Sequence, residues 1–304
     1  VGAVERGAAG AAGQADHREL AEAAIGGLEL SEGGPPQWLR GHLPYALHPL
    51  PNTLFMRDPL VVIRDGAILG SMAMPARRRE PLIMRYAYGY HPRLNLAPRD
   101  LFFFDELALS GLRMRTGMPG LEGGDVLVLS EKVLAIGASE RTSEVAVDLL
   151  AQALKDRTPV ETIFLVLLPQ KRAIMHLDTA FTRISEGECL VFPPLFMPGS
   201  AEQAPVIRLD LRGGHVETSL LMGFLDALRD VGIDLEPIPC GGADRICQVR
   251  EQWTDGANAL ALAPARPRLA AITGSLSPGT GNLRHGPTDA AAIAALRAAA
   301  GRPP

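Results

Sequence analysis

Cysteine is scarce in this sequence, whose 304 residues contain three widely spaced cysteines. An odd number of scattered cysteines argues against a disulfide framework and indicates a reducing compartment, so we expect a cytoplasmic protein. Runs long enough to span a membrane are also lacking, and Val1-Gly-Ala-Val-Glu-Arg has no signal-peptide core. A starting Met is missing too, which leads us to expect a fragment. These absences predict no membrane partner.

Charge of one sign is not concentrated anywhere along the chain. The net charge is −4 with acids and bases mixed, and the basic run Arg77-Arg78-Arg79 is followed at once by Glu80. The sequence therefore has no basic stripe for nucleic acid. A hydrophobic content of 47% and a charged content of 21% are typical of a globular protein, with enough residues for one large domain or two ordinary ones.

Composition divides the chain into four stretches. Residues 1–15 are rich in Ala and Gly and are predicted to be disordered. Residues 16–46 have a helical pattern with a break at Gly33-Gly-Pro-Pro36, whereas residues 47–264 alternate strands and helices and form the predicted catalytic domain. The tail, 265–304, is of low complexity and rich in Ala, Arg, Gly and Pro.

Strand and helix signals recur in a fixed order within the central stretch. Apolar residues 60–63 and 67–69 flank Arg64-Asp-Gly66, a hairpin signal because glycine tolerates positive φ. A second hairpin is predicted at 125–129 and 133–136, followed by a helix at 142–156 and a strand at 161–168. Further strands are predicted at 189–192, 206–209 and 237–239, and a further helix is predicted at 218–231. Such repeats predict an α/β fold of ββαβ-like modules around a centre where strand ends converge.

Four carboxylates and one imidazole lie beside the ends of predicted strands. They are Asp58, Glu122, Asp125, His176 and Asp178. A carboxylate presents two oxygens in one plane, and a guanidinium group presents a matching fork of N–H donors. The set therefore favours binding of a planar cation.

Each member of this set also has a plainer interpretation. If 176–178 is extended, His176 and Asp178 share one face and suit proton transfer, but a buried histidine satisfied by a neighbour is equally compatible. Asp58 follows an arginine and fits an ion-paired loop, and Glu122-Gly-Gly-Asp125 fits a turn with close backbone approach. His176, Asp178 and Glu122 are also potential metal ligands, but without a second histidine nearby we predict no metal.

Arginines and cysteines supply the remaining candidates. Arg77 and Arg141 suit a substrate carboxylate, although a solvated basic run and a surface position before a helix are the alternatives. Cys240 precedes two glycines, as a nucleophile in a tight turn would. Cysteine is usually buried, so all three thiols are predicted to be inert core groups.

Six motifs occur in the order that one enzyme family shows. They are PNTLFMRDP at 51–59, MPARRRE at 74–80, LEGGDVLVL at 121–129, GASERTS at 137–143, MHLDTAFT at 175–182 and REQWTDGANALALAP at 250–264. Together they resemble arginine deiminase, of the guanidino-group-modifying α/β-propeller (pentein) superfamily. The resemblance covers about 50–264, and residues 16–46 are similar to the end of the helical insertion that precedes the first motif.

The resemblance implies an α/β-propeller that hydrolyses L-arginine to L-citrulline and ammonia without a cofactor. It implies that Asp58 and Asp178 bind the guanidinium group, with Glu122 and the general acid/base His176 beside the reacting carbon. The amino-acid end of arginine would be positioned by Asn52, Phe55, Arg77 and Arg141, with Asp125 also in the substrate site. Whether the chain forms a homo-oligomer stays open.

The sequence departs from the family pattern at both ends. The segment carrying the family's first module is absent, and after Pro264 the Gly-rich loop with the attacking cysteine has no counterpart. We therefore expect a chain that is incomplete at both ends and inactive as written. The alternatives are an amidinotransferase or methylarginine hydrolase of the same superfamily, or a non-catalytic arginine-binding protein.

Overall fold

The N-terminal part of the chain begins with a helix and a small antiparallel pair of strands. The computed structural model describes residues 17–30, 45–51, 53–63, 66–94, 101–103, 119–155, 157–221, 223–262 and 269–271. Helix α1 (His17–Gly26) is followed by β1 (Leu28–Glu29), which pairs with β2 (Tyr45–Leu47). The predicted helical stretch 16–46 is thus wrong at its end, where residues 45–47 form a strand. The reason is local: Gly27 has φ of +87° and turns the chain out of the helix.

A ββαβ module occurs three times in the described residues. The first consists of β3 (Leu60–Ile63), β4 (Gly66–Leu69), α2 (Glu80–Tyr90) and β5 (Leu101–Phe103). The second consists of β6 (Val126–Val128), β7 (Val133–Ala138), α3 (Glu144–Lys155) and β8 (Thr162–Leu167). In each module the first two strands are antiparallel, and the last strand runs parallel to the second. The predicted α/β class and its modules are confirmed.

The third module carries an insertion between its second strand and its helix. It begins with β9 (Phe181–Arg183) and β10 (Glu188–Val191), followed by the short helix α4 (Pro193–Phe196). The inserted hairpin comprises β11 (Val206–Asp210) and β12 (Glu217–Leu221). The module then closes with α5 (Phe224–Arg229) and β13 (Glu236–Pro239), and the chain continues through α6 (Arg245–Trp253), β14 (Leu260–Leu262) and β15 (Leu269–Ala271).

The inserted hairpin corrects one sequence-based prediction. The helix expected at 218–231 is confined to Phe224–Arg229, and residues 217–221 form β12. Strand β11 pairs on one side with β8 and on the other with β12, which extends the second module's sheet to five strands in the order β12-β11-β8-β7-β6. Pairing with the neighbouring strand β11 satisfies the backbone of 217–221 and overrides its local helical pattern.

Two apolar clusters hold the central modules together. Helix α3 packs its apolar stripe, including Val147, Leu150 and Leu154, against one face of the five-stranded sheet. The opposite face packs against the third module, where Phe181 and Phe224 are buried with their ring centroids 4.9 Å apart. The sheet is therefore covered on both sides. None of the helices in the described ranges is both long and apolar enough to cross a membrane.

The modules set the position of the chemically interesting motifs. Asp58 lies just before β3, Glu122 and Asp125 just before β6, and His176 and Asp178 just before β9. Each motif thus occupies the corresponding place in its own module. The sheets do not close into a single barrel within the described residues, but the starts of the three first strands meet at one place.

Removing the Phe224 ring should strongly destabilise this packing. Phe224 is fully buried and contacts the rings of Phe164, Phe181 and Phe196. We expect Phe224→Ala to lower the free energy of unfolding in urea by about 3–5 kcal/mol, because the cavity forfeits these contacts. Leu220→Ala, at a residue that is 68% exposed, should change it by less than about 0.5 kcal/mol. Equal small effects would contradict the assigned core.

Candidate active site

A buried hydrogen bond at the centre joins the second and third modules. His176 Nε2 donates to Glu122 Oε2 at 2.8 Å, and both side chains are buried. Burial by itself would lower the pKa of His176, but the Glu122 hydrogen bond and the charges of Asp125, Asp58 and Asp178 raise it to about 9. The ring is therefore an imidazolium at neutral pH, suited to deliver a proton.

Glu122 is held in place from several directions. Its Oε1 accepts from the backbone N–H of Ala73 at 3.0 Å, and Arg141 Nη1 lies 3.6 Å from Oε2. Its own backbone N–H donates to Thr142 Oγ1 at 3.1 Å. Burial raises the pKa of Glu122, but the hydrogen bond from His176 and the nearby charges outweigh burial and lower it. Glu122 is therefore an ionised, fixed partner for the imidazolium.

Asp58 faces His176 on the other side of the ring. His176 Nδ1 is 3.8 Å from Asp58 Oδ1, while Arg77 Nη1 donates to Asp58 Oδ2 at 2.7 Å. Arg77 also donates through Nε and Nη2 to the two oxygens of Glu80, at 2.8 and 2.7 Å. The guanidinium of Arg77 thus lies between two carboxylates, and desolvation is outweighed by these partners so that its pKa is raised.

Asp178 is buried and only partly paired. Arg57 Nη1 lies 3.2 Å from Asp178 Oδ2, whereas Asp178 Oδ1 is buried without a hydrogen-bond partner among the described residues. Burial raises the pKa of Asp178 to about 6, against the opposing charge of Arg57. Residues Leu177–Thr179 form a 3-10 turn, so the extended geometry considered for 176–178 is not present. The turn leaves an unpaired carboxylate oxygen at the centre, where a donor from a ligand would stabilise it.

Asp125 has a different set of contacts from the other acids. Its Oδ2 accepts from Ser139 Oγ at 2.6 Å, and its Oδ1 accepts from the backbone N–H of Leu177 at 2.8 Å. Burial raises the pKa of Asp125 to about 7. These bonds connect Asp125 to the backbone that follows His176, so the carboxyl group fixes the turn carrying the histidine.

Glycine is required at two close approaches between the motifs of the site. A Cβ at Gly124 would lie 2.5 Å from His176 Nδ1, and one at Gly123 would lie 1.9 Å from the carbonyl oxygen of Arg57. Neither distance is sterically acceptable, so the glycines of Glu122-Gly-Gly-Asp125 permit the close approach expected from the sequence. The motif is a 3-10 turn and also part of the site.

The other predicted site residues differ in their burial and in their contacts with the site. Arg141 is buried against Glu122, so the alternative of a surface arginine is wrong. Arg77 is paired with two carboxylates, so a solvated basic run is also wrong. Phe55 has an exposed side chain, and its carbonyl oxygen accepts from Arg77 Nη2 at 3.3 Å. Asn52 lies outside the described residues.

Several groups at the centre were not identified from the sequence. They are Arg57, Glu80, Ser139 and Asp255. All four stand inside the matched motifs, at 51–59, 74–80, 137–143 and 250–264, which was the available signal. Asp255 has a φ of +56°, unusual for a residue other than glycine, and its charge interacts with that of His176. Local periodicity alone would not have revealed any of the four, because their roles depend on long-range contacts.

Three of the site residues have the geometry of a cation site. The ligand atoms of Asp58, Glu122 and His176 lie within 4.8 Å of one another. A metal would have to displace the hydrogen bond that already joins His176 to Glu122 and would compete with the imidazolium proton. The absence of a metal requirement stays a prediction.

The cysteines differ from one another in their surroundings. Cys189 and Cys240 are buried, and burial raises the pKa of each thiol to about 12. The prediction of inert core thiols is confirmed for these two. It is wrong for Cys247, which is partly exposed on α6, although its hydrogen bond with Asp244 also raises its pKa. None of the three is activated as a thiolate.

The titration of His176 tests the central contact. We expect its imidazole to titrate near pH 9, and Glu122→Gln to lower that midpoint, because the loss of the carboxylate leaves burial less opposed. NMR of the imidazole Cε1–H, assigned with His176→Gln, measures both midpoints, and an unchanged midpoint in Glu122→Gln would contradict the contact.

The pKa of His176 in the folded protein exceeds the ordinary value of 6.5. The contribution of His176 to stability is therefore full below pH 6.5 and is lost as the pH rises through about 9.

The sequence of this chain is similar to those of known proteins of one family. A family model described as arginine deiminase matches residues 37–266. Curated relatives include arginine deiminase of Bacillus cytotoxicus, 34% identical over 257 residues, and of Listeria welshimeri, 35% identical over 260 residues. Each alignment covers 82% of this chain and 60% of the relative, so the chain spans about 60% of the length of these proteins.

Solved structures with a similar arrangement share little sequence with this chain. One is a mutant of DDAH from Pseudomonas aeruginosa complexed with citrulline, at 16% identity and a TM-score of 0.44, covering 79% of this chain and 77% of that one. Another is ArgZ, a cyanobacterial arginine dihydrolase, at 15% identity and a TM-score of 0.43, covering 70% and 24%. The family model matches well over half of the sequence, and the chain therefore belongs to the arginine deiminase family.

Proposed function

We propose that this chain forms the guanidinium-binding part of an active site that hydrolyses L-arginine to L-citrulline and ammonia. The observation that carries the proposal is the pairing at the centre. Asp58 and Asp178, which come from different modules, each lie against a guanidinium group of the chain itself, Arg77 and Arg57. Carboxylates in such positions have the geometry that recognises a guanidinium ligand.

The charges around the buried centre support binding of a cation. Asp178 Oδ1 is buried and has no hydrogen-bond partner in the part of the chain that the structure describes, so a ligand N–H would supply one. Asp58 Oδ1 faces His176 at 3.8 Å and is the corresponding acceptor on the opposite side. A planar cation between these two oxygens would lie beside His176 and Glu122. Desolvated acids of this kind bind a cation more strongly than acids exposed to water.

His176 would serve as the acid and then the base of the hydrolysis. In the covalent route that the resemblance implies, a thiolate adds to the guanidinium carbon and forms a C–S bond. The C–N bond then breaks, and ammonia leaves with a proton from His176. Water next adds to the same carbon and returns a proton to His176, and the C–S bond breaks to give citrulline. Glu122 keeps the ring oriented through both steps.

The thiolate has no source among the three cysteines of this sequence. Cys189 and Cys240 are buried with a raised pKa, and a side-chain hydrogen bond with Asp244 raises the pKa of the Cys247 thiol. This observation favours a second candidate, a protein that binds arginine without hydrolysing it. Both candidates use the same cation site. The three cysteines of the chain are all free, which supports a reducing, cytoplasmic compartment as part of the proposal.

The amino-acid end of the ligand would be held by residues beside the cleft. The resemblance assigns this role to Asn52, Phe55, Arg77 and Arg141. Arg141 is buried beside Glu122, and Arg77 reaches the carbonyl oxygen of Phe55. Comparing L-arginine with agmatine, which lacks the carboxylate, measures how much these residues contribute to binding.

Binding of L-arginine is the direct test of the cation site. We expect calorimetry at pH 8 to detect binding, and Asp178→Asn to weaken it by about tenfold or more, because a charged hydrogen bond to the ligand is lost. Asp226→Asn, at an exposed ion pair with Arg229, is the matched control and should leave the affinity unchanged. Failure of the unmodified chain to bind L-arginine would refute the proposed function.

Citrulline release separates the two candidates. We expect the 304-residue chain to release no citrulline from L-arginine, because loss of a covalent nucleophile typically costs on the order of 10⁶ in rate. A colorimetric citrulline assay checks this. Turnover above background that Cys240→Ser abolishes would show that a buried thiol acts as nucleophile. Turnover gained only after a Gly-rich, Cys-containing C-terminus is added would support the enzymatic candidate.

A further inference from the structure

Gln252 is a buried side chain that none of the roles described so far employs. It lies near the end of α6, is 4% exposed, and donates through Nε2 to the carbonyl oxygens of Ala173 and Thr179 at 2.8 Å each. Its Oε1 is buried without a hydrogen-bond partner among the described residues. An apolar side chain of similar length would avoid the cost of that unpaired oxygen, so burial alone does not account for a glutamine here.

The two carbonyl groups lie at opposite ends of one segment of the site. This segment, residues 173–179, is called the His176 segment below. Ala173 lies in its first 3-10 turn and Thr179 ends its second, with His176 and Asp178 between them along the chain. One amide group therefore spans the segment, and because carbonyl oxygens only accept, the amide must present its N–H groups to both.

Thr179 transmits this restraint to the histidine. Thr179 Oγ1 donates to the carbonyl oxygen of His176 at 2.6 Å, while Asp125 Oδ1 accepts from the backbone N–H that follows His176 at 2.8 Å. Gln252 holds the segment from α6, and Asp125 holds it from the second module. Together they fix the backbone from which the His176 ring reaches Glu122 Oε2.

The end of α6 brings a second residue toward the same segment. The backbone N–H of Asp255 donates to the carbonyl oxygen of Gln252 at 3.3 Å, and Asp255 has the positive φ noted above. The charge of Asp255 interacts with those of His176 and Asp178. The end of this helix thus faces the part of the chain that carries both residues.

We propose that Gln252 is a positioning residue of the site, which holds the His176 segment so that the imidazole meets Glu122 and Asp178 Oδ1 faces the ligand. The part that concerns the ligand rests on the proposed function, whereas the part that concerns the imidazole does not. Gln252 acts through the backbone of the segment rather than by contact with the ligand.

Proton NMR of the full chain tests the imidazole part. The buried Nε2–H of His176, bonded to Glu122, should give a downfield signal that His176→Gln removes. We expect Gln252→Met, which keeps the side-chain length but has no N–H donor, to shift this signal upfield or abolish it, because the bond to Glu122 lengthens.

A second glutamine of α6 supplies the matched control. Gln248 is also buried, and its Nε2 donates to the carbonyl oxygen of Gly242 at 2.8 Å, outside the His176 segment. Gln248→Met removes a donor of the same type from the same helix. It should leave the downfield signal of His176 unchanged.

Calorimetry with L-arginine at pH 8 tests the ligand part. We expect Gln252→Met to weaken binding by about tenfold, because Asp178 Oδ1 is no longer held in place, and Gln248→Met to leave the affinity unchanged. Circular dichroism in urea checks that both variants fold. If Gln252→Met does not fold, Gln252→Asn replaces it, since its shorter amide cannot reach both carbonyl groups and should have the same two effects.

Each other outcome overturns a defined part of the reasoning. An unchanged signal and an unchanged affinity in Gln252→Met would refute the inference. Equal changes in Gln248→Met would also refute it, because α6 would then act through general packing. A changed signal alone would refute the role toward Asp178, and a changed affinity alone would refute the role toward His176.

The unmodified chain separates this inference from the proposed function. If it binds no L-arginine, the proposed function fails and the ligand part of the inference fails with it, while the NMR comparison still decides the imidazole part. If it shows no downfield signal, the hydrogen bond between His176 and Glu122 is contradicted and the imidazole part is refuted.

Discussion

The buried hydrogen bond from His176 to Glu122 joins the second and third modules at the centre of the site. Each partner would be costly to bury alone, because an unpaired charge in a low-dielectric interior loses several kcal/mol of hydration. Neighbouring residues allow this contact to form and hold it in place. Gly124 lets the ring approach the backbone, and Asp125 holds the backbone N–H of Leu177 beside the histidine.

Arginine side chains offset the negative charge of the acid-rich centre. Asp58 lies against Arg77, Asp178 against Arg57, and Glu122 near Arg141, so three acids each have a guanidinium partner of their own. Asp125 is hydrogen-bonded instead by a hydroxyl and an amide, and burial raises its pKa to about 7. A cationic ligand therefore enters a site whose charges are already partly balanced.

Local sequence signals predicted the elements that position the site. The hairpin of β3 and β4 follows from two apolar runs separated by a turn signal, and the helix Glu144–Lys155 follows from an apolar stripe at helical spacing. The same reasoning failed at 217–221, because pairing with β11 overrides a helical pattern that is too short to be stable alone. Glu80 was missed for a related reason: its neighbours form a helix start, and only its contact with Arg77 connects it to the site.

The sequence by itself determined the residue types of the site, the order of its motifs and the family to which the chain belongs. It placed Asp58, Glu122 and His176 at the starts of successive modules, because turns and strand starts are decided by neighbouring residues. Only the tertiary structure decided which arginine faces which acid, that His176 is protonated at neutral pH, and that Asp178 keeps an unpaired oxygen. Charge state and pairing depend on burial and on groups distant along the chain, and packing creates both.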